Sequence, residues 1–260
     1  MHLWHVMEYE WYIYVIAFAG AIIAGSVNTL AGNGSAVTLS ILTELLGLPG
    51  NVANGTNRVG VLLNGMGSSW GFYRGGKLKL ENSKHIIITV VAGAIVGGLI
   101  ALNISNEQFM GLFRFLMVGM LVVILVKPQR WLKKAGTASN IPRPVLLFLY
   151  FLVGIYGGLI QMGMGIFFLA ILVILDGYNI IYANAVKVAV VALFTILMVA
   201  LFQYRGFIEW PIGLLMGAGQ FIGGWYTAKL ASRHPNAEKW AYGLLVVIVI
   251  GSILSLFGVY

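Results

Sequence analysis

The sequence predicts an all-α, polytopic membrane protein, and three observations carry that prediction. Of the 260 residues, 60% are hydrophobic and only 9% charged, with a mean hydropathy of +0.91. Soluble domains carry about 25% charged residues. Apolar stretches of crossing or near-crossing length follow one another along the whole chain, and they fall into two similar sets. The excess of 16 Lys+Arg over 8 Asp+Glu gives a net charge of +8. In such a chain this points to basic cytoplasmic loops rather than nucleic-acid binding. The absence of cysteine excludes disulfides and thiolate metal sites. Residues 1–10 hold Glu8 and Glu10 without a basic n-region, so no cleaved signal peptide is expected.

The first set of apolar segments lies at 11–31, 34–48, 52–72, 86–103 and 108–126. The second lies at 144–161, 164–176, 180–203, 210–231 and 240–259. A full crossing needs about 20 residues, with about 17 as a minimum, which leaves 8–10 membrane segments, because 34–48 and 164–176 are short. Each short segment follows a glycine-broken stretch: Ala31-Gly32-Asn33-Gly34-Ser35 and Met162-Gly163-Met164-Gly165. Broken backbone at membrane depth is tolerated only inside protein or along a wet cavity. The two sets form a repeat. Gly32-x-Gly34 matches Gly163-x-Gly165, Ala53-Asn54 matches Ala183-Asn184, and Tyr73-Arg74-Gly75 matches Tyr204-Arg205-Gly206, at offsets of 130 or 131. Gly97-Gly98 and Gly223-Gly224 follow at a slightly smaller spacing. The chain therefore divides into a first repeat (1–126), a basic linker (127–143) and a second repeat (144–260).

Lysine and arginine set the expected orientation. Arg74, Lys77, Lys79 and Lys84 mark one basic loop (73–84), and the linker 127–143 is a second. Lys229, Arg233 and Lys239 mark a third (229–239). Five crossings per half place all three inside the cell, put both termini outside and invert the halves. Re-entrant short segments give four crossings, parallel halves and one basic loop facing outward. The charge distribution favours the inverted arrangement. Trp11, Tyr12, Trp70, Tyr73, Trp131, Trp210 and Trp240 fall near segment ends, as interfacial aromatic belts require.

Inverted repeats with short, glycine-broken segments point to a binding site near the membrane midplane. In the first half, Asn28, Thr29, Asn33 and Ser35, with Gly34, form a run of small donors suited to oxyanion oxygens. Small-residue helix packing is the other reading of such a run, Ser26 and Thr38 included. The second half offers Gln161 with the backbone at Gly163 and Gly165. Met162 and Met164 there suit adaptable core packing. The runs Ala53-Asn54-Gly55-Thr56-Asn57-Arg58 and Ala183-Asn184-Ala185-Val186-Lys187 each place a cation in an apolar segment. Ionisable groups at membrane depth serve function by default, although snorkelling to an interface is open to both. Asn54, Thr56, Asn57, Arg58, Asn184 and Lys187 thus join the candidate site, with Arg58 and its polar neighbours expected to dominate it. Glu44 and Asp176 end the two short segments and are candidates for proton coupling or, more simply, interfacial carboxylates. His2, His5, His85 and His234 lie at segment ends or in loops. No nucleophile–base pair, metal-ligand spacing or phosphate loop is present, so catalysis, a cofactor and a metal are not expected.

On these residues the chain resembles the sulfite exporter TauE/SafE family, also described as the sulfonate-uptake permease family. The resemblance spans nearly the whole length. It rests on Gly25 and Gly32-Asn33-Gly34-Ser35, on Ala53-Asn54-Gly55-Thr56-Asn57-Arg58, on their echoes at Gly158 to Gly165 and Ala183 to Lys187, and on Gly223-Gly224-Trp225. It implies a prokaryotic cell-membrane transporter of small sulfur-containing anions such as sulfite, thiosulfate, sulfoacetate or other organosulfonates. Its partners would be that anion, membrane lipid and a co-transported proton or sodium ion, with an oligomer open and nucleic acid excluded. An anion channel with the same basic site is the alternative, and an intramembrane enzyme a remote one.

Overall fold

The computed structural model describes residues 9–81, 83–105 and 141–234, and the isolated positions 108, 236, 237, 239, 240 and 243. All but a few positions of the fifth segment of each half, 108–126 and 240–259, lie outside the described residues. So do positions 127–140 of the basic linker.

The regular structure among the described residues is helical. The helices are α1 (Trp11–Leu30), α2 (Gly34–Ser40), α3 (Gly50–Arg74), α4 (Lys84–Ala101), α5 (Arg143–Leu159), α6 (Met164–Ala170), α7 (Ile180–Tyr204) and α8 (Trp210–Arg233). Helices α2 and α6 each run into a π-helical turn, Ile41–Leu45 and Ile171–Leu175. Local chemistry explains several boundaries. Pro144 and Pro211 occupy the first turns of α5 and α8, where a missing N–H costs nothing. The Asn179 side chain accepts from the Ile181 N–H at 2.9 Å and caps α7.

Helices α1, α4 and α7 are long and apolar enough to cross a membrane. Helix α3 matches α7 in length at 25 residues, about 37 Å, but is far less apolar. Its Asn54, Thr56, Asn57, Arg58, Asn64 and Ser68 are all buried. Polar groups in a spanning helix turn inward because lipid offers them no partner.

Helix starts keep a constant offset between the halves. Gly34 and Met164, Ile41 and Ile171, and Gly50 and Ile180 each begin matching elements 130 residues apart. Three residues join α1 to α2, whereas four join α5 to α6. The glycine pairing at 131 is therefore one residue out of step with the helices.

The corresponding helices α3 and α7 run antiparallel. Gly55 packs near Phe202, Gly65 near Ala192, and the Lys77 ammonium sits 5.2 Å from the Tyr182 ring centre. Helices α1 and α2 form a hairpin that returns to the rim where it began. Gly34 abuts Ala24, Gly20 abuts Ile41, and the Tyr9 hydroxyl donates to the Leu46 carbonyl. Burial, then Tyr14 and Glu209, raise the pKa of the Tyr9 phenol, so it stays protonated and donating. The second hairpin, α5–α6, returns to the opposite rim. Its Tyr150 hydroxyl donates to Asp176 at 2.6 Å, and the Tyr156 and Phe167 rings meet edge to face.

Each half's first helix packs on the other half's fourth, α1 on α8 and α5 on α4. Small residues make this possible. A Cβ on Gly97 would stand 1.9 Å from the Ile155 carbonyl oxygen, and one on Gly223 would stand 2.0 Å from that of Ile22. Gly97→Val is expected to separate α4 from α5, costing about 1–3 kcal/mol or more. Size-exclusion chromatography in detergent should show lost monodisperse protein; a wild-type profile would contradict this close approach.

Candidate functional site

Both intramembrane cations cap a broken helix of the other half. The Arg58 guanidinium donates to the carbonyls of Gly157 at 2.6 Å, Gly158 at 2.9 Å and Leu159 at 3.3 Å, the last residues of α5. It also lies 5.2 Å from the Phe202 ring centre and reaches Asn54 Oδ1 at 3.4 Å. Lys187 Nζ donates to Asn28 at 2.9 Å and Thr29 at 3.2 Å, at the end of α1, and to Asn184 Oδ1 at 2.7 Å. A helix end leaves four carbonyls unpaired and carries partial negative charge. In a dry interior only a protein donor can satisfy it. Arg58 is fully buried and Lys187 is 2% exposed, so neither snorkels to an interface.

The sequence around each cation follows the same logic. Arg58 and Lys187 lie on the third turn of α3 and α7, one turn after Asn54 and Asn184, which accept from them. Asn54 Nδ2 also donates to the Leu159 carbonyl at 3.2 Å. The two halves thus reach one arrangement with different cations and register.

The breaks themselves meet. A Cβ on Gly32 would stand 2.6 Å from Gly165 Cα, and one on Gly165 would stand 2.5 Å from Gly32 Cα. Gly32 has φ +82°, Gly163 +72° and Gln161 +64°. A left-handed glutamine is uncommon and marks a position held by its surroundings.

Beside this contact is a narrow cleft with room for about one water molecule. Asn28, Asn64, Gln161 and Lys187 are its polar lining, and Met164 and Val191 are among its apolar residues. Asn64 Nδ2 donates to the Gly25 and Gln220 carbonyls, both at 3.0 Å, while its Oδ1 accepts from Asn28 Nδ2 at 3.0 Å. Gln161 Nε2 donates to Thr195 Oγ1 at 3.1 Å, and its Oε1 has no partner among the described residues. Asn57 Nδ2, Asn184 Nδ2 and Arg58 Nε are buried donors likewise unpartnered there.

Most of the sequence-derived candidates fall into three groups, and Thr56, Glu44 and Asp176 stand apart from them. Gln161, Gly163, Gly165, Asn184 and Lys187 gather at the break beside the cleft, and Asn54 and Arg58 gather at the tip of α5. Asn33, Gly34, Ser35 and Asn57 are buried around the start of α2, where Thr38 Oγ1 donates to Asn57 Oδ1 at 2.6 Å. Thr56 belongs to neither tip: its hydroxyl accepts from the Glu209 N–H at 3.0 Å, just before α8. Glu44 is exposed at the outer end of the first hairpin, and Asp176 is half-buried at the outer end of the second. They stand at opposite rims.

Sequence reading overlooked Asn64, Thr195 and Gln220. A lone amide in an apolar run was the available signal at Asn64 and Gln220. In the fold Gly60 makes room for Gln220, since a Cβ there would stand 2.0 Å from Gln220 Nε2.

The family model described as Sulfite exporter TauE/SafE matches residues 17–254. A probable membrane transporter protein, ORF9, of Sinorhizobium sp is 26% identical over 254 residues, covering 96% of this chain and 95% of the relative. A probable membrane transporter protein of Haemophilus influenzae is 27% identical, covering 83% and 84%. The probable membrane transporter protein YfcA of Escherichia coli K12 is 24% identical, covering 92% and 87%. No solved structure matches the chain.

Proposed function

The chain belongs to the sulfite exporter TauE/SafE family of membrane transporters, and from that membership we propose that it is a secondary transporter of small sulfur-containing anions. Sulfite, thiosulfate, sulfoacetate and other organosulfonates are the proposed substrates. The observation that carries the reading is the pair of buried cations at two facing helix breaks. Arg58 and Lys187 raise the potential where the dielectric is low, which favours an anion at this centre. Asn33, Ser35, Asn54, Asn57, Gln161 and Asn184 would supply hydrogen bonds, with backbone approach allowed by Gly34, Gly163 and Gly165.

In this proposal the halves are inverted repeats, a reading supported by the antiparallel α3 and α7. A hairpin that returns to its starting rim has the same parity as two crossings, so it leaves the inverted order intact. The rim with loop 73–84 and the start of α5 is taken as cytoplasmic, because Lys and Arg concentrate there. Alternating access would then rock the two halves about the facing breaks. Glu44 and Asp176, at opposite rims, are proposed to take part in proton or sodium coupling.

Reconstitution into proteoliposomes tests the function. Sulfite or thiosulfate uptake should saturate and should respond to an imposed proton or sodium gradient. Flux that stays linear in concentration, with unitary currents, would identify a channel instead. No flux of either anion would refute the proposed substrates.

A further inference from the structure

We propose that the anion binds on one side only of the pseudo-symmetric centre: in the cleft beside Lys187, which widens to admit it and where Gln161, and Asn28 held in place by Asn64, determine its selection. This inference rests on the anion-transport reading above and assigns it to particular residues.

The two sides are built from corresponding positions, so their differences can be compared one by one. Asn64 is the fifteenth residue of α3, and Phe194 is the fifteenth of α7. Asn28 is third from the end of α1, and Gly157 is third from the end of α5. Gln161 stands two residues beyond α5, and Gly32 stands two beyond α1; both have positive φ. Three amides on the Lys187 side thus correspond to a phenyl ring and two glycines on the Arg58 side.

Packing turns this difference into an open side and a closed one. Phe194 is fully buried, and a Cβ on Gly157 would stand 3.1 Å from its Cζ. The ring therefore fills the space that corresponds to Asn64. Phe202 lies against the Arg58 guanidinium. Arg58 is left facing the Phe202 ring and the α5 carbonyls, whereas Lys187 lines the cleft.

The amides of the open side suit a small oxyanion. Asn64 is anchored by three hydrogen bonds and keeps Asn28 in place. Gln161 has one amide end on Thr195 and the other unpartnered among the described residues. A threonine hydroxyl both donates and accepts, so the Gln161 amide can turn its NH2 towards an anion without losing Thr195. Lys187 gives its three protons to Asn28, Thr29 and Asn184, and so supplies field rather than a free donor. Selection then falls to the amides.

Uptake of sulfite into proteoliposomes, with sulfite-dependent thermal stabilisation of the detergent-solubilised protein, tests the assignment. Gln161→Gly installs the residue found at the corresponding Gly32 and relieves the left-handed backbone. Asn64→Ser keeps a short donor and removes the amide. Gln161→Gly should raise the sulfite KM about tenfold or more, as expected for a lost hydrogen bond to a charged group, and Asn64→Ser should raise it as well by releasing the Asn28 amide. Each should also abolish stabilisation at concentrations that protect the wild type. Phe194→Leu, on the closed side, should leave KM within about twofold on the same scale. The inference is overturned if Gln161→Gly and the folded Asn64→Ser keep wild-type KM and stabilisation, or if Phe194→Leu carries the KM effect. If wild type neither transports nor is stabilised by sulfite or thiosulfate, the transport reading fails first, and this assignment with it.

Discussion

Lys187→Met is expected to lower thermal stability sharply and to reduce anion flux to background. Methionine matches the length of the lysine stem but donates nothing. The carbonyls of Asn28 and Thr29 and the Asn184 side chain would lose their shared donor. A hydrogen bond to a charged group contributes about 1.5–3 kcal/mol, and leaving buried partners unpaired costs at least as much. A loss of about 3 kcal/mol or more is therefore expected. Arg58→Met should behave alike in stability, since Gly157, Gly158 and Leu159 depend on it. Thermal unfolding in detergent, read by fluorescence-detected size exclusion, measures both variants. Lys187→Arg retains a cationic cap and should recover most of the stability. Unchanged melting temperatures for both methionine variants would rule out the capping role.

The second large effect is expected at the meeting of the two helix breaks. Gly32→Ala places a methyl group 2.6 Å from Gly165 Cα, so backbone must move rather than a flexible side chain. The left-handed φ of +82° adds a cost of about 1–2 kcal/mol for any L-residue with a Cβ. Gly165→Ala carries the same clash from the other side, at 2.5 Å, without the backbone penalty. Both variants should abolish flux, and Gly32→Ala should also have the lower melting temperature. Normal uptake by Gly165→Ala would mean that the breaks do not need to touch during transport.

Much of the architecture was legible because hydropathy and spacing are local signals. Gly34 and Met164 begin short helices where the apolar segments were too brief to cross. The repeat predicted matching breaks, and the helices begin 130 residues apart. The site was harder to read. Thr56 stands beside Asn54 and Asn57 in sequence, yet its hydroxyl faces the start of α8 rather than either helix break. Asn64 lies only six residues after Arg58, yet its importance depends on Gly25, Asn28 and Gln220 from other helices. Glu44 and Asp176 lie at close to matching positions of the repeat, and the two hairpins return to opposite rims and so keep them apart.

The sequence by itself determined the membrane class, the broken segments and the two cations inside apolar helices, and it pointed to a duplication. Each of these follows from composition or from residues close together in the chain. Tertiary structure decided what the cations do. Arg58 meets carbonyls about a hundred residues away, and Lys187 meets carbonyls 158 and 159 residues away. Which carbonyls are left unpaired depends on where α1 and α5 stop, and which cation reaches them depends on how α3 and α7 cross. Tertiary structure also decided which side stays open. Asn64 and Phe194 occupy corresponding positions, but only packing shows that the amide borders a cleft and the ring fills its counterpart.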